Sequence, residues 1–161
     1  VTRQIVGVSD PERGPLVAEA LARLGAEHAL VVHAEVGMDE ISPAGVTHVW
    51  ELRRRIPDAP RTTHDAPVVT NWELEPERYG LRNDDLAALK GGEPAENAER
   101  LERLLTDADG DPAGRAAVLL NAAAAIYVSS EMEFGDAVAV ARKALEDGKG
   151  AEVLDRLKGV A

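Results

Sequence analysis

Cysteine is missing altogether from these 161 residues, and with it every disulfide framework and every thiolate site. Aromatic side chains are nearly missing too: two Trp, two Tyr and one Phe make up 3% of the chain. A protein that grips single-stranded nucleic acid by stacking bases on rings has little to work with here. Positive charge is scarce, with 18 Lys and Arg against 29 Asp and Glu and a formal net charge of −11. That balance repels phosphate backbones and anionic membrane surfaces, so neither nucleic acid nor membrane is expected as a partner. No stretch reaches the roughly 18 to 20 apolar residues that span a bilayer. No basic segment leading into an apolar one marks a secretory signal. The expectation is a soluble, cytoplasmic protein.

What the chain does have is aliphatic. Hydrophobic residues make up 45% of it, mostly Ala, Val and Leu, which is enough for a folded core. Its length suits one domain, with Ala-rich helices packed on short aliphatic strands.

One stretch stands out, from Ala29 through Leu30-Val31-Val32-His33 to Gly37-Met38-Asp39-Glu40-Ile41-Ser42. An apolar run of strand type passes through a glycine turn and delivers two adjacent carboxylates. Loops at the carboxyl ends of strands are where α/β enzymes commonly place chemistry. Adjacent Asp and Glu offer hard oxygen ligands to Mg²⁺, which favours one or two carboxylates plus water and substrate phosphate. By spacing alone the pair reads equally as a turn with solvated acids, or as the acidic first turn of a helix.

Around that stretch the pattern is legible. Ile5 to Val8 reads as a buried strand, and Ser9 or Asp10 with Pro11 opens a helix. From Pro15 to Leu24, the residues Leu16, Ala20, Leu21 and Leu24 share a face, and Gly25 suits the helix end. His28 to His33 is a second strand, giving a β-α-β unit with parallel strands. Thr47 to Leu52 alternates as a half-exposed strand does, and Val68 to Leu74 reads as its partner. The Arg53-Arg54-Arg55 knot reads as a solvated strand end. Pro57, Pro60 and Pro67 bracket an irregular section.

The remainder is helical: a short helix at Asp84 to Lys90, then one from Glu93-Pro94 to about Leu105 with Ala98, Leu101, Leu104 and Leu105 inward. Asp107 to Asp111 imitates the start of a calcium loop, but the twelfth position is Val118 instead of Glu. Its expected role is a loop with Asp111 capping the helix at Pro112. Ala113 to Val128 is apolar nearly all round, the mark of a buried helix. Asn121 inside it must therefore be hydrogen-bonded to another helix or a neighbouring loop. Phe134 to Asp147 and Ala151 to Leu157 complete the helices, and Gly91-Gly92 and Gly148-Lys149-Gly150 read as helix stops, not as phosphate loops.

Taken in order, these landmarks resemble a known family. Gln4-Ile5-Val6-Gly7-Val8 with Leu24-Gly25, then Val31-Val32-His33 with Gly37-Met38-Asp39-Glu40-Ile41-Ser42, belong to the pattern. So do Tyr79-Gly80-Leu81, Leu89-Lys90-Gly91-Gly92, Asn97-Ala98 and Leu119-Leu120-Asn121-Ala122-Ala123. Together they resemble the carboxyl-terminal half of anthranilate phosphoribosyltransferase. That resemblance implies an α/β fold of the nucleoside phosphorylase/phosphoribosyltransferase catalytic type, with a short, parallel-rich sheet. Residues 1–161 would then be the carboxyl-terminal portion of that α/β domain. It also implies a glycosyltransferase of tryptophan biosynthesis that joins anthranilate to phosphoribosyl pyrophosphate, releases pyrophosphate, requires Mg²⁺ and works as a homodimer. In the family's pattern Asp39 and Glu40 are the acids that bind the metal.

The chain departs from that pattern in places. Ala34, Val36 and Met38 stand where the family commonly has Gly, an acid and Leu, and the Pro57–Pro67 section is longer than the family needs. The glycine-rich Gly-Thr-Gly-Gly-Asp motif that cradles pyrophosphate does not occur in these residues. The resemblance places it upstream, with the helical domain, the anthranilate-contacting arginine and most of the dimer contacts. The expectation is a carboxyl-terminal fragment inactive as an isolated chain. Three rivals stand beside it: a paralogue with another acceptor, a truncated non-catalytic homologue acting as a binding or assembly subunit, and an unrelated α/β domain with solvated acids. His33 is expected in a core or supporting role, and His28, His48 and His64 show no metal-ligand spacing with it.

Overall fold

The computed structural model describes residues 1–54 and 68–160. Strand β1 (Arg3–Gly7) leads through an Asp10-capped 3-10 turn into helix α1 (Gly14–Arg23) and then strand β2 (His28–Ala34). Strands β3 (Thr47–Arg53) and β4 (Val68–Leu74) follow, and the sheet order is simply β1-β2-β3-β4. β1 and β2 run parallel, as the β-α-β reading requires. β2–β3 and β3–β4 are antiparallel, with Val32 opposite Val49 and Val49 opposite Trp72. The α/β class is as expected, but the sheet is mixed instead of parallel-rich. The physical reason lies in the connection from Ala34 to Thr47. It holds no crossover helix, and a parallel return needs one.

All seven residues of β2 are buried, because helices cover both faces of it. One face carries Leu30, Val32, Val49 and Leu74 into the main core. They meet helix α3 (Pro112–Ser129) through Leu119, Leu120, Ala123, Ala124 and Val128, and helix α4 (Phe134–Glu146) through Phe134, Ala137, Val138 and Ala141. The alanines of α3 let it lie close to the strands. The other face sets Val31 and Val8 against Ala18 of α1, with Trp50 half-buried beside them.

That second face corrects one expectation. Leu16, Ala20 and Leu24 point outward; of the expected face only Leu21 packs inward, joined by Gly14, Val17, Ala18 and Ala22. A Cβ on Gly14 would lie 2.3 Å from the Trp50 ring, so small residues on the Gly14–Ala18 side decide which stripe meets the sheet.

Helix α2 (Pro94–Thr106) is likewise more exposed than its spacing suggests. Only Leu104 is fully buried, while Ala98 and Leu101 face out. Asp84 to Lys90 holds just a 3-10 turn at Ala87–Leu89. Helix α5 (Lys149–Lys158) begins right after Gly148, whose φ of +73° favours glycine. Gly150 is therefore inside α5, where a Cβ would come within 2.6 Å of Leu105 on α2.

Arg53 pairs with Glu131 at 2.5 Å and Arg54 reaches the Ala22 carbonyl at 3.5 Å, so two of the three arginines are engaged. Arg55, Pro57, Pro60, His64 and Pro67 lie outside the described residues. Among the described residues no single helix is long and apolar enough to cross a membrane.

Candidate metal centre

The acid pair sits where the first two strands end. After Ala34 the chain makes a tight return: Gly37 donates its N–H to the Ala34 carbonyl at 2.8 Å, and Ala34 donates to Met38 at 2.9 Å. Gly37 has φ of +87°, which glycine adopts without cost. Glu35 is bonded across to the Val46 carbonyl at 2.9 Å, tying the turn to the approach of β3. Asp39 and Glu40 come next, side by side and exposed.

Two contacts fix the acids from either side. A Cβ on Gly7, the last residue of β1, would lie 1.5 Å from the Asp39 carbonyl oxygen. The two backbones therefore touch, and only glycine permits it. On the far side, the Asn121 carboxamide holds Ile41: Oδ1 accepts the Ile41 N–H at 3.1 Å and Nδ2 donates to the Ile41 carbonyl at 2.8 Å. The sequence expectation that Asn121 ties its helix to a loop is met. Ile41 is 1% exposed and belongs to the main core. Beyond it, Ser42 donates its N–H to the Thr47 hydroxyl at 3.2 Å, and the Ser42 hydroxyl takes the Ala44 N–H at 3.1 Å.

The electrostatics of the pair follow from this placement. Glu40 holds its proton more tightly than a free glutamate. Partial burial of the carboxyl is the first cause, the neighbouring Asp39 charge the second, and a hydrogen bond with Asp39 the third. Two carboxylates that resist joint ionisation are stabilised by a cation between them. Among the described residues no group of three or more His, Asp or Glu could hold a metal ion. A cation on this pair must draw its remaining ligands from water and from an anionic ligand, a donor set that suits Mg²⁺.

His33 has the supporting role expected of it. Its Nδ1 lies 2.8 Å from the Val8 carbonyl, which accepts only, so the proton sits on Nδ1 and the ring straps β2 to the end of β1. His48, on β3, lies 3.3 Å from Glu35 and 3.6 Å from Glu73, beside the same turn. Sequence reading did not single out that arrangement, since its members come from three separate segments.

A second polar cluster lies at the opposite end of the strands and was also missed. Glu51 accepts from His28 Nε2 at 2.9 Å and the Tyr127 hydroxyl at 2.9 Å on one oxygen, and from Trp72 Nε1 at 2.8 Å on the other. Burial pushes the Glu51 carboxyl up, but the hydrogen bonds from His28, Tyr127 and Trp72 outweigh it and hold the group below the usual range. The Tyr127 phenol is driven well above its ordinary value by burial and by the Glu51 charge. Glu51 stands opposite Leu30, so along the strand it is about 13 Å, and His28 about 20 Å, from the Ala34 end that leads to the acids. The cluster joins β2, β3, β4 and α3, so its role is structural.

Comparison with known proteins decides the family. The profile described as "Glycosyl transferase family, a/b domain" matches residues 1–151. The chain belongs to this family. Its curated relatives include the anthranilate phosphoribosyltransferase of Haloarcula marismortui, 42% identical over 159 residues that cover 97% of this chain and 43% of that protein. The enzyme of the same name from Thermomicrobium roseum is 41% identical, covering 98% of this chain and 42% of its own length. Among solved structures, anthranilate phosphoribosyltransferase from Thermus thermophilus superposes with a TM-score of 0.74 at 37% identity, over 93% of this chain and 40% of that one. The Saccharomyces cerevisiae enzyme in complex with PRPP and Mg gives a TM-score of 0.77 at 26% identity, over 95% and 41%. The chain thus spans about two fifths of the length of the relatives it matches.

Proposed function

We propose that residues 1–161 are the carboxyl-terminal portion of a phosphoribosyltransferase α/β domain and supply the metal-binding acids of an anthranilate phosphoribosyltransferase. The observation that carries this reading is the pinned turn between Gly7 and Asn121, which presents Asp39 and Glu40 together at the carboxyl ends of β1 and β2. In the complete enzyme the reaction joins anthranilate to the ribosyl carbon of phosphoribosyl pyrophosphate and releases pyrophosphate. Mg²⁺ bound there would neutralise the leaving pyrophosphate.

This chain's own residues prepare for that. Asp39 and Glu40 would hold the metal, Gly7 and Asn121 keep the backbone between them in place, and His33 fastens β1 to β2 beneath. The glycine-rich phosphate loop and the acceptor-binding arginine lie outside these residues, so the isolated chain does not turn over. The complete enzyme works in the cytoplasm as a homodimer.

The test is a chimera in which these 161 residues replace the matching stretch of the Thermomicrobium relative. Mg²⁺-dependent formation of phosphoribosyl anthranilate is expected, with loss of at least about a hundredfold in kcat/KM on Asp39→Asn or Glu40→Gln. A folded chimera whose rate is unchanged by both substitutions would overturn the assignment. So would robust turnover by the 161 residues alone.

A further inference from the structure

Asp39 and Glu40 form an arch of two residues between two fixed points. One foot is the Asp39 carbonyl, seated against the Gly7 backbone. The other is Ile41, whose N–H and C=O are both taken by a side chain 80 positions away on α3.

The orientation of that side chain is set by its partners. Asn121 Nδ2 has two hydrogens, and both are used: one goes to Ile41 O at 2.8 Å, the other to Ala117 O at 2.9 Å on its own helix. Turning the amide over would set an oxygen against two carbonyls and a nitrogen against an N–H. The carboxamide therefore has one satisfied pose, and in it Asn121 imitates the neighbouring strand that Ile41 lacks.

We propose that Asn121 is a positioning residue for the Asp39–Glu40 pair: it fixes the backbone of the arch so that both carboxylates are presented before any cation arrives. This inference rests on the metal reading of the pair given above. Two exposed acids on a loose turn would lose backbone freedom on binding, at a cost to affinity. With both feet of the arch held, only side-chain torsions remain to be ordered. Asn121 touches neither carboxylate, so it acts through the backbone, as the outer partners of metal ligands commonly do. The device also couples α3 to the acids: any shift of that helix is passed to Ile41 through two hydrogen bonds.

The test uses Mn²⁺ as the probe, titrated by electron paramagnetic resonance, together with amide exchange at Ile41 read by NMR without metal. Asn121→Ala is compared with Val128→Ala, which damages the same helix's core packing and leaves the clamp alone. Asn121→Asp keeps the acceptor for the Ile41 N–H and loses the donors. Asn121→Ala should exchange Ile41 at least about tenfold faster than Val128→Ala at equal overall stability, and should bind Mn²⁺ about tenfold or more weakly. Asn121→Asp should fall between Asn121→Ala and wild type in Ile41 exchange. Equal Ile41 exchange in Asn121→Ala and Val128→Ala would overturn the clamp. Loss of Mn²⁺ binding in Asp39→Asn alongside wild-type affinity in Asn121→Ala would overturn the positioning role while leaving the metal reading intact. Equal binding by wild type and Asp39→Asn would instead remove the metal reading, and the positioning role with it.

Discussion

Gly7 and Asp39 meet backbone to backbone: a single Cβ on Gly7 would stand 1.5 Å from the Asp39 carbonyl oxygen. The end of the first strand and the first acid are thereby one structural unit, although they are far apart in the sequence. Gly7→Ala leaves the strand conformation available, since Gly7 has no positive φ, but forces the Asp39 turn to move. A loss of about 1–3 kcal/mol is expected from such overpacking, measured as a lower urea midpoint at unchanged slope. Mg²⁺ protection against thermal unfolding should fall in the same variant.

The Glu40 proton gives a pH prediction. Its carboxyl is held above the ordinary glutamate value of 4.5 in the folded protein, so the folded state binds that proton more tightly than the unfolded one does. The stability it contributes is present below the unfolded value and is lost as pH rises through the raised folded value. At neutral pH the ionised pair therefore repels itself, and a cation bound there, as proposed above, would offset that repulsion. Mg²⁺ should raise the melting temperature at pH 7 and do so less as the solution is acidified toward Glu40's own titration. Glu40→Gln should melt no lower than wild type without metal and should show little gain from Mg²⁺. Calorimetric scans with and without Mg²⁺ at several pH values read both outcomes.

Glu51 behaves oppositely. Burial raises its carboxyl, but hydrogen bonds from His28, Tyr127 and Trp72 bring it below 4.5 in the folded state. The stability it supplies is present above the unfolded value and is lost as pH falls through the lowered folded value. Tyr127→Phe removes one of the three donors and should cost about 0.5–1.5 kcal/mol. Glu51→Ala strands buried donors on three elements and should cost more, about 2–4 kcal/mol. Acid titration followed by Trp fluorescence should show a shallower loss of stability below pH 4.5 in Glu51→Gln than in wild type.

Asp111 caps α3 by accepting the Gly114 N–H at 2.9 Å, and Arg100 of α2 grips the same carboxylate through two nitrogens at 2.6 and 3.0 Å. The Arg100 guanidinium, more than the cap bond, holds the Asp111 carboxyl below its usual range. Asp111→Ala should cost about 1–2 kcal/mol, near the upper end for a lost cap, because the link to α2 goes with it. Arg100→Ala should cost less, and urea unfolding of both variants and of the double variant measures the coupling.

Sequence alone conveyed more of the fold than of the site. Apolar runs at Ile5–Val8 and His28–His33 gave the parallel pair, and the Ala-rich stretch around Asn121 gave the buried helix. Those signals are local and periodic, so one chain carries them in full. The face of α1 is ambiguous in the sequence because Leu16, Ala20, Leu21 and Leu24 make as good a stripe as Val17, Ala18, Leu21 and Ala22, the two sharing only Leu21. What chooses between them is Gly14 against the Trp50 ring, a contact between distant segments. The site divides the same way. Asp39 and Glu40 are adjacent and visible in the sequence, and Asn121 was legible as a buried amide in need of partners. The clasp at Gly7 left only a weak sign, a glycine at a strand end. The Glu51 cluster left none, because its members are spread over three strands and a helix.

The most direct measurement is isothermal titration of Mg²⁺-pyrophosphate into the chimera that carries wild-type residues 1–161 in the Thermomicrobium relative and into its Asp39→Asn/Glu40→Gln double variant at pH 7. Saturable binding by the wild type and its loss in a variant that still folds is the predicted result. Equal binding by the two proteins, or none by the wild type, would contradict the assignment of this acid pair as the metal side of a phosphoribosyl pyrophosphate site.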